Sequence, residues 1–227
     1  LTCEENWAAY FHMPKGSTAV DAKLTASHQR YGVARAPLAS TATVGMGQGW
    51  HTVSATDDRF ARWNLAATGA NAEKDFRNEA NTFGFNVEID PLAPNSTPAK
   101  RVAMGRFAHE AAVCGVPKAG EPLAFYMGCD SRNEYIYKFV SDAKWDPKDA
   151  EPANRLAAGD KYLDKGTLFA ARFMGNGSGE WLELSMNNPV LAGSSYFEFK
   201  SNADMAIVTR LAADAVGATR MDRPEWN

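Results

Sequence analysis

The stretch Gly166-Thr-Leu-Phe-Ala-Ala-Arg-Phe173 is followed by Met174-Gly-Asn-Gly-Ser-Gly179 and then by Glu180-Trp-Leu-Glu-Leu184. Apolar and aromatic residues are frequent in the two outer segments, and the middle segment is rich in glycine. A glycine-rich run between two such segments is typical of the tight turn that joins antiparallel strands. The sequence therefore predicts a β-hairpin here, and with it antiparallel pairing.

Other short segments carry the same strand pattern. Aromatic and β-branched residues bounded by turn residues occur in Phe83–Ile89, Leu123–Met127, Glu134–Val140, Thr167–Phe173 and Trp181–Leu184. In the third segment Tyr135, Tyr137 and Phe139 alternate with other residues. This spacing predicts that the three rings form a stripe on one buried face of a strand. The pattern predicts a mainly β fold. Strand-turn-strand units a few tens of residues apart favour a β-propeller over a sandwich, although no Trp-Asp repeat recurs.

The segment 201–216 has a helical pattern instead. Ser201 and Asp204 have the spacing of a capping box, and apolar residues then recur at helical spacing as far as Gly217. We predict one amphipathic helix inserted in the β fold. Residues 13–80 have no regular pattern, so we expect a loop-rich insertion within a single domain that spans residues 1–227.

Composition excludes several classes of protein. The chain has 227 residues, 45% of them hydrophobic and 22% charged, which suits a domain with a substantial core. A net charge of -3 argues against a nucleic-acid binding module. No apolar run approaches the roughly 18 residues of a membrane span. The chain opens at Leu1 without a leader, so we expect it to be an internal part of a longer protein.

Common catalytic and structural motifs are missing from the sequence. Cys3, Cys114 and Cys129 form no CxxC pair, which argues against a disulfide framework or a structural zinc knuckle. Neither a serine-hydrolase elbow, a zincin motif, a P-loop nor a dinucleotide-binding fingerprint is present. The four histidines have no paired metal spacing.

Three acidic motifs are candidates for chemistry: Cys3-Glu4-Glu5-Asn6, His109-Glu110 and Arg223-Pro-Glu225. Carboxylates with an amide suit Ca²⁺, and a thiolate beside them can hold iron. An arginine two residues before a glutamate, with proline stiffening the backbone between them, offers a planar fork for phosphate oxygens. The motifs suggest metal-assisted chemistry on a phosphate ester.

Each motif also has an ordinary structural interpretation. Adjacent acids often form a solvated turn, and a free cysteine is often a small buried hydrophobe. His109-Glu110 fits a strand end with an ion pair, and Arg223-Pro-Glu225 fits an ordinary loop. Asp130 fits a turn in which its side chain accepts hydrogen bonds. Spacing alone leaves these alternatives open.

Taken together, the motifs resemble the PhoX family of bacterial alkaline phosphatases. The resemblance covers most of the chain and is weakest over residues 13–80. The matching stretches are Thr2-Cys-Glu-Glu-Asn6, Arg30-Tyr-Gly-Val33, Phe83-Gly-Phe-Asn-Val-Glu-Ile-Asp-Pro91, Gly105-Arg-Phe-Ala-His-Glu110, Glu134-Tyr-Ile-Tyr-Lys-Phe-Val-Ser141, Gly166-Thr-Leu-Phe-Ala-Ala-Arg-Phe173, Thr209-Arg-Leu-Ala-Ala-Asp-Ala-Val-Gly-Ala-Thr219 and Met221-Asp-Arg-Pro-Glu-Trp226.

The resemblance implies a β-propeller that hydrolyses phosphate monoesters outside the cytoplasm, in the periplasm or the medium. It implies two Fe³⁺ ions bridged by an oxide, Ca²⁺ ions beside them, and export of the folded protein by the twin-arginine route. A monomer that acts on small phosphate monoesters is expected. Further ligands of the family lie beyond this chain, so we expect the 227-residue piece alone to be inactive.

The resemblance also assigns roles to side chains. Cys3 is expected to bind iron through its thiolate, and Glu5 to bind calcium. Glu110 and Glu225 are expected to be carboxylate ligands of the metal cluster. Arg223 is expected to clamp the phosphate, so that Arg223, Glu225 and Glu110 form the catalytic set.

Two further residues are expected to support this centre. The family has an acidic pair after a glycine where this chain has Cys129 and Asp130, so an altered calcium site is expected there, with Asp130 as a candidate metal ligand. His109 is interpreted as support for a metal ligand. A metal-activated oxide or hydroxide would attack phosphorus, so no serine nucleophile is required.

Two other functions compete with this one. The first is a calcium-dependent propeller hydrolase of lactones or phosphotriesters, which iron content and a cysteine requirement would distinguish. The second is a non-enzymatic propeller that binds calcium for stability and presents a surface to a partner. In that case Arg223 and Glu225 are loop residues without a catalytic role.

Overall fold

The computed structural model describes residues 1–13, 21–33, 50, 57–151 and 154–226. Much of the expected insertion over residues 13–80, namely 14–20, 34–49 and 51–56, lies outside the described residues. The prediction of a single propeller domain with an insertion stays a prediction.

Contacts within the chain divide it into two compact units. The first unit consists of Leu1–Glu5 and Gly84–Asn227, and the second is Asn6–Phe83. The candidate motifs at Cys3-Glu4-Glu5, His109-Glu110 and Arg223-Pro-Glu225 all belong to the first unit.

The strands of the described residues, β1 to β10, lie in the first unit. In chain order they are Thr2–Cys3, Asn86–Glu88, Ala99–Lys100, His109–Cys114, Pro122–Cys129, Arg132–Glu134, Ile136–Lys144, Gly166–Phe173, Gly179–Glu183 and Met221–Asp222.

The described α-helices, α1 to α6, are Ala22–Arg30, Asp58–Ala61, Arg155–Leu163, Pro189–Ala192, Asn202–Ile207 and Thr209–Val216. Short 3-10 helices span Ala8–Tyr10, Glu79–Thr82, Val102–Met104 and Pro147–Ala150. Among the described helices, none combines the length and the apolar character needed to cross a bilayer.

The largest sheet has five antiparallel strands in the order β4-β5-β7-β8-β9. β8 and β9 pair up to Phe173 opposite Gly179, and the N–H of Met174 donates to the carbonyl of Ser178 at 2.8 Å across the turn. The predicted hairpin is confirmed, and so is the mainly β, antiparallel character of the fold. Two smaller antiparallel sheets have the orders β1-β2-β3 and β10-β6.

Strand boundaries differ from the predicted ones where tertiary pairing dominates. The segment predicted at Glu134–Val140 is divided, because β6 ends at Glu134 and β7 begins at Ile136. Asn133, just before this division, has a left-handed backbone with φ 62°. β4 carries no strand pattern, since alanine and acidic residues disfavour strands. It becomes a strand because it pairs with β5.

The core of the first unit is centred on β7. Tyr135, Tyr137 and Phe139 are almost completely buried, which confirms the predicted core stripe. The ring of Phe107 stacks on Tyr137, with 4.2 Å between centroids, and on His109, with 3.6 Å. The start of β4 is therefore anchored in the apolar interior.

The prediction of one helix over residues 201–216 is wrong, because α5 ends at Ile207 and α6 begins at Thr209. The backbone of Val208 leaves the helical region, with φ -114° and ψ 44°. The hydroxyl of Thr209 donates back to the carbonyls of Met205 and Ala206, both at 2.9 Å, and such back-bonding bends helices. The predicted ends are confirmed: the Ser201 side chain caps α5, and Gly217 ends α6 in the left-handed conformation.

The second unit has its own core. Its buried members are Trp7, Phe11, Tyr31, Val33, Leu65 and Ala80. Asp21 caps α1, because its carboxylate accepts the N–H of Leu24 at 2.9 Å.

Gly166, at the start of β8, provides a test of the sheet's packing. A Cβ there would lie 2.3 Å from the carbonyl oxygen of Val140 and 2.5 Å from the Phe139 ring. We expect Gly166→Ala to lower the free energy of unfolding by about 1–3 kcal/mol, because rigid neighbours must move. Urea titration measures this loss. Gly175→Ala in the adjacent turn, where a Cβ meets nothing within 4 Å, should change it by less than about 0.5 kcal/mol. Equal effects of the two substitutions would contradict the expectation.

Candidate functional site

Three carboxylates converge at one end of the large sheet. One oxygen each from Glu5, Glu110 and Asp130 lies within 4.8 Å of the other two, and all three residues are partly buried. Like charges this close repel one another, so the arrangement favours a bound cation. The sequence placed these residues in separate motifs, and the fold brings them together.

The pairing of β4 with β5 explains this convergence. His109 lies opposite Cys129, and the register shifts between His109 and Ala111, so that Glu110 sits in a bulge. Bulges redirect a side chain and are common next to functional sites. The N–H of Asp130 donates to the carbonyl of Ala108 at 2.9 Å, which fixes the end of β5 beside the start of β4.

The adjacent acids Glu4 and Glu5 have different environments. The carboxylate of Glu4 accepts the N–H groups of Gly84 at 2.9 Å and Phe85 at 3.1 Å, and it pairs with Lys100 at 2.8 Å. Glu4 therefore secures the chain that leads into β2. Glu5 is the member of the pair that joins Glu110 and Asp130.

Cys3 lies beside the same carboxylates. Burial raises the pKa of its thiol above the ordinary value, and the nearby charges of Glu110 and Glu5 raise it further. Its sulfur donates to Oδ1 of Asn86 at 3.3 Å. A soft sulfur atom that could bind a metal therefore lies next to hard carboxylate oxygens.

Cys3 differs from the other two cysteines. Cys129 is fully buried, and burial raises its thiol pKa to about 11, while Nη2 of Arg210 lies 3.0 Å from its sulfur. Cys114 is exposed in β4. The resemblance implies two acidic residues at positions 129 and 130. Cys129 instead faces the interior, and Asp130 joins the carboxylates of Glu5 and Glu110.

Arg223 forms a two-pronged ion pair with Asp130. Its Nε donates to Oδ1 at 2.7 Å and its Nη2 donates to Oδ2 at 2.9 Å, while Nη2 also lies 3.3 Å from Glu225. The Arg223 guanidinium holds the pKa of the Asp130 carboxyl below its usual range. The Asp130 side chain is 6% exposed and that of Arg223 is 54% exposed, so the guanidinium faces solvent.

The segment that carries Arg223 and Glu225 depends on Gly128 in β5. A Cβ on Gly128 would lie 2.3 Å from the carbonyl oxygen of Pro224 and 2.5 Å from that of Glu225. The N–H of Arg223 donates to the carbonyl of Ser131 at 3.2 Å. Sequence reasoning missed this role of Gly128, because only the folded chain shows which backbone lies against it.

Sequence reasoning also missed Asn86. This residue is fully buried, and its Nδ2 lies 3.2 Å from Nδ1 of His109. His109 Nε2 lies 2.9 Å from the carbonyl of Gly105, and burial lowers the pKa of His109 to about 3. Burial therefore favours the neutral imidazole, and both ring nitrogens lie within hydrogen-bond distance of buried partners.

The structure thus brings Cys3, Glu5, Glu110, Asp130, Arg223 and Glu225 into one cluster. Its chemistry is that of a mixed sulfur and oxygen cation site beside a cationic fork. Which of these side chains bind a metal stays a prediction at this point.

Comparisons with known proteins are consistent with this chemistry. The family described as Alkaline phosphatase PhoX matches the chain over residues 1–227. A search among curated proteins gives no match. The solved structure of PhoX from Pseudomonas fluorescens, in complex with vanadate, a transition state analogue, is 36% identical to the chain with a TM-score of 0.74. The similarity covers 99% of this chain and 34% of that one, so the chain spans about a third of that relative's length.

The pair formed by Asp130 and Arg223 can be measured with a double-mutant cycle. With Asp130→Asn and Arg223→Gln in chelator-treated protein, we expect a favourable coupling free energy that is larger than that of a surface pair with a single contact, because the contact is bidentate. The folded-state pKa of Asp130 is lowered, so the coupling is complete above the unfolded-state pKa of about 3.9. It is lost as the pH falls through the lower folded-state pKa. A coupling near zero at neutral pH would contradict the pair.

Proposed function

Because the chain belongs to the PhoX family of alkaline phosphatases, we propose that the protein hydrolyses phosphate monoesters. The observation that carries the proposal is the convergence of Glu5, Glu110 and Asp130 beside Arg223, in a chain that the family matches throughout. Bound cations and a guanidinium both neutralise phosphoryl oxygens, so the two together suit a doubly charged phosphate group.

We propose Ca²⁺ and Fe³⁺ as the cofactors, because the donor set fits them. Calcium prefers several carboxylate oxygens, which Glu5 and Asp130 would supply. Iron accepts both thiolate and carboxylate, which Cys3, Glu110 and Glu225 would supply. Once bound, the ions would supply Lewis acidity and a water-derived nucleophile that is active at neutral pH.

The role proposed for Arg223 is to hold the phosphate group. Asp130 and Glu225 engage its Nε and Nη2, which orients the guanidinium, and the donors of Nη1 would then bind the phosphate. The Pseudomonas fluorescens relative was solved with vanadate, a transition state analogue. Vanadate resembles a phosphoryl group during in-line attack, so this complex supports phosphoryl transfer as the reaction here.

The whole protein's properties are proposals of the same kind, since the chain spans about a third of the solved relative. We propose a β-propeller, of which this chain supplies part, in a monomeric protein in the periplasm or outside the cell, reached by the twin-arginine route. The 227-residue piece alone is proposed to be inactive, because further ligands would come from the rest of the protein.

The test is hydrolysis of a chromogenic phosphate monoester by the full-length protein before and after metal removal. We expect a chelator to abolish activity, and added metal to restore it. Glu225→Gln should lower kcat/KM by about 100-fold or more, because a charged group at the reacting centre is lost. Glu198→Gln, at an exposed carboxylate outside the cluster, is the matched control and should leave kcat/KM unchanged.

The other functions predict different results. Activity on lactones or phosphotriesters without monoesterase activity, iron or a need for Cys3 would favour the calcium-dependent hydrolase. Calcium binding without any hydrolysis in metal-replete protein would favour the non-enzymatic propeller. Monoester hydrolysis that survives both chelation and Glu225→Gln would overturn the metal-phosphatase proposal.

Gly128 allows a second test of the same proposal. Gly128→Ala forces the Pro224–Glu225 backbone away from β5, which displaces Arg223 and Glu225 from the carboxylates. We expect kcat/KM to fall by about 10-fold to 100-fold, because small misplacements at a reacting centre are costly. Assays at a temperature where circular dichroism shows the variant folded separate this loss from unfolding. Gly115→Ala, whose Cβ meets ordinary contacts at 3.5 Å, should retain activity.

A further inference from the structure

We propose that Arg210 is a positioning residue for the phosphate site. Its buried guanidinium holds residues 129–134, called the Asp130 segment below, in the conformation that orients Arg223. This role rests on the proposed function, in which Arg223 holds the phosphate group. Arg210 belongs to α6 and is only 6% exposed, so it acts on a bound phosphate through other residues.

Arg210 contacts the Asp130 segment at three points. Its Nη2 donates to the sulfur of Cys129 at 3.0 Å and to the hydroxyl of Ser131 at 3.2 Å. Its Nε lies 3.5 Å from Oε1 of Glu134, which is buried as well. A guanidinium stays charged throughout the pH range of folded proteins, and sulfur accepts a hydrogen bond as thiol or as thiolate, so these contacts depend on no titration. One buried side chain therefore holds both neighbours of Asp130 and the end of the segment.

Arg223 is attached to the same segment through its backbone and its side chain. Its N–H donates to the carbonyl of Ser131 at 3.2 Å, and its guanidinium makes the two hydrogen bonds to Asp130, at 2.7 and 2.9 Å. β10, which directly precedes Arg223, pairs with β6 so that Met221 lies opposite Glu134. A shift of the Asp130 segment would therefore move both the backbone and the guanidinium of Arg223.

The backbone of both partners needs such support. Among the residues that the structure describes, Asn133 and Arg223 are the non-glycine residues with a left-handed backbone, at φ 62° and 55°. That conformation is unfavourable for a side chain with a Cβ, and it persists where the surroundings fix it. Asn133 lies within the segment that Arg210 holds, and Arg223 is bonded to that segment. The contacts of Arg210 thus stabilise the segment on which the conformation of Arg223 depends.

The test measures the binding of orthovanadate to the full-length, metal-replete protein by calorimetry, which requires no turnover. Arg210→Met retains the apolar stem and removes the guanidinium, and Glu134→Gln is combined with it so that no buried carboxylate loses its partner. We expect this double variant to bind orthovanadate about 10-fold more weakly, the contribution of one well-placed charged hydrogen bond. With Arg223→Gln also present, the same double change should alter the affinity by less than about 2-fold, because the group that Arg210 positions is gone.

Two further variants separate positioning from folding. Ser131→Ala removes one acceptor of Arg210 without changing any charge, and it should give a smaller loss of affinity in the same direction. Arg101→Met is the matched control, because Arg101 is also a buried arginine but pairs with Glu88 and Asp160. It should lower the thermal stability and leave the orthovanadate affinity unchanged. Thermal unfolding is measured for every variant.

The outcomes distinguish the role of Arg210 from the proposed function. If the parent does not bind orthovanadate, or binds it equally well after Arg223→Gln, the phosphate-holding role of Arg223 is overturned, and that of Arg210 with it. Binding that requires Arg223 but is unchanged in the folded Arg210 variant would overturn the role of Arg210 alone. An equal loss with and without Arg223 would overturn it too. Should the Arg210 variant not fold, Ser131→Ala with the affinity of the parent would also overturn it.

Discussion

The antiparallel pairing of β4 with β5 is the interaction on which the candidate site depends. β4 supplies His109 and Glu110, and β5 supplies Gly128 and leads directly into Asp130. Side chains alternate between the two faces of a strand, so a slip of one residue would send His109 toward solvent and Glu110 into the core. The bulge at Glu110 is the point where this alternation is broken. The register of a single strand pair thus decides which groups meet.

Charge balance imposes the second constraint. The carboxylates of Glu5, Glu110 and Asp130 gather at the sheet end, and Arg223 offsets part of their charge through Asp130. Asp130 therefore belongs to both halves of the site, as a member of the acidic group and as the anchor of the guanidinium. A phosphate bound by Arg223, as proposed, would meet a guanidinium whose direction is already set, which would reduce the entropy lost on binding.

The parts of the fold that the sequence predicted are those encoded by local pattern. The hairpin of β8 and β9 and the buried stripe at Tyr137 follow from residue alternation and from a glycine-rich turn. The helix break at Val208 does not, because it depends on the hydroxyl of Thr209, which also accepts the N–H of Arg106 at 2.9 Å. Local propensity carries no information about such a distant partner.

The candidate site, too, was predictable from the sequence only in part. Its carboxylates, thiol and guanidinium were recognisable from the sequence, because these are the groups that bind metal ions and phosphate. Gly128 and Asn86 were not, because one matters for the backbone that lies against it and the other for a sulfur 83 positions away. A neutral amide and a glycine do not by themselves indicate a site in the sequence, so only the three-dimensional arrangement identifies them.

The small size of the sheet β1-β2-β3 has a consequence for dynamics. β2 has three residues and β3 has two, β1 pairs with β2 at Thr2 and Cys3, and Glu5 follows just after β1. A sheet held by so few hydrogen bonds opens locally at a small fraction of the global unfolding free energy, and its amides exchange hydrogen with solvent through that opening. Opening would carry a sulfur and a carboxylate out of the site together. A ligand bound to both groups would stabilise the paired strand. Slower hydrogen exchange at the Cys3 amide would then indicate that the site is occupied.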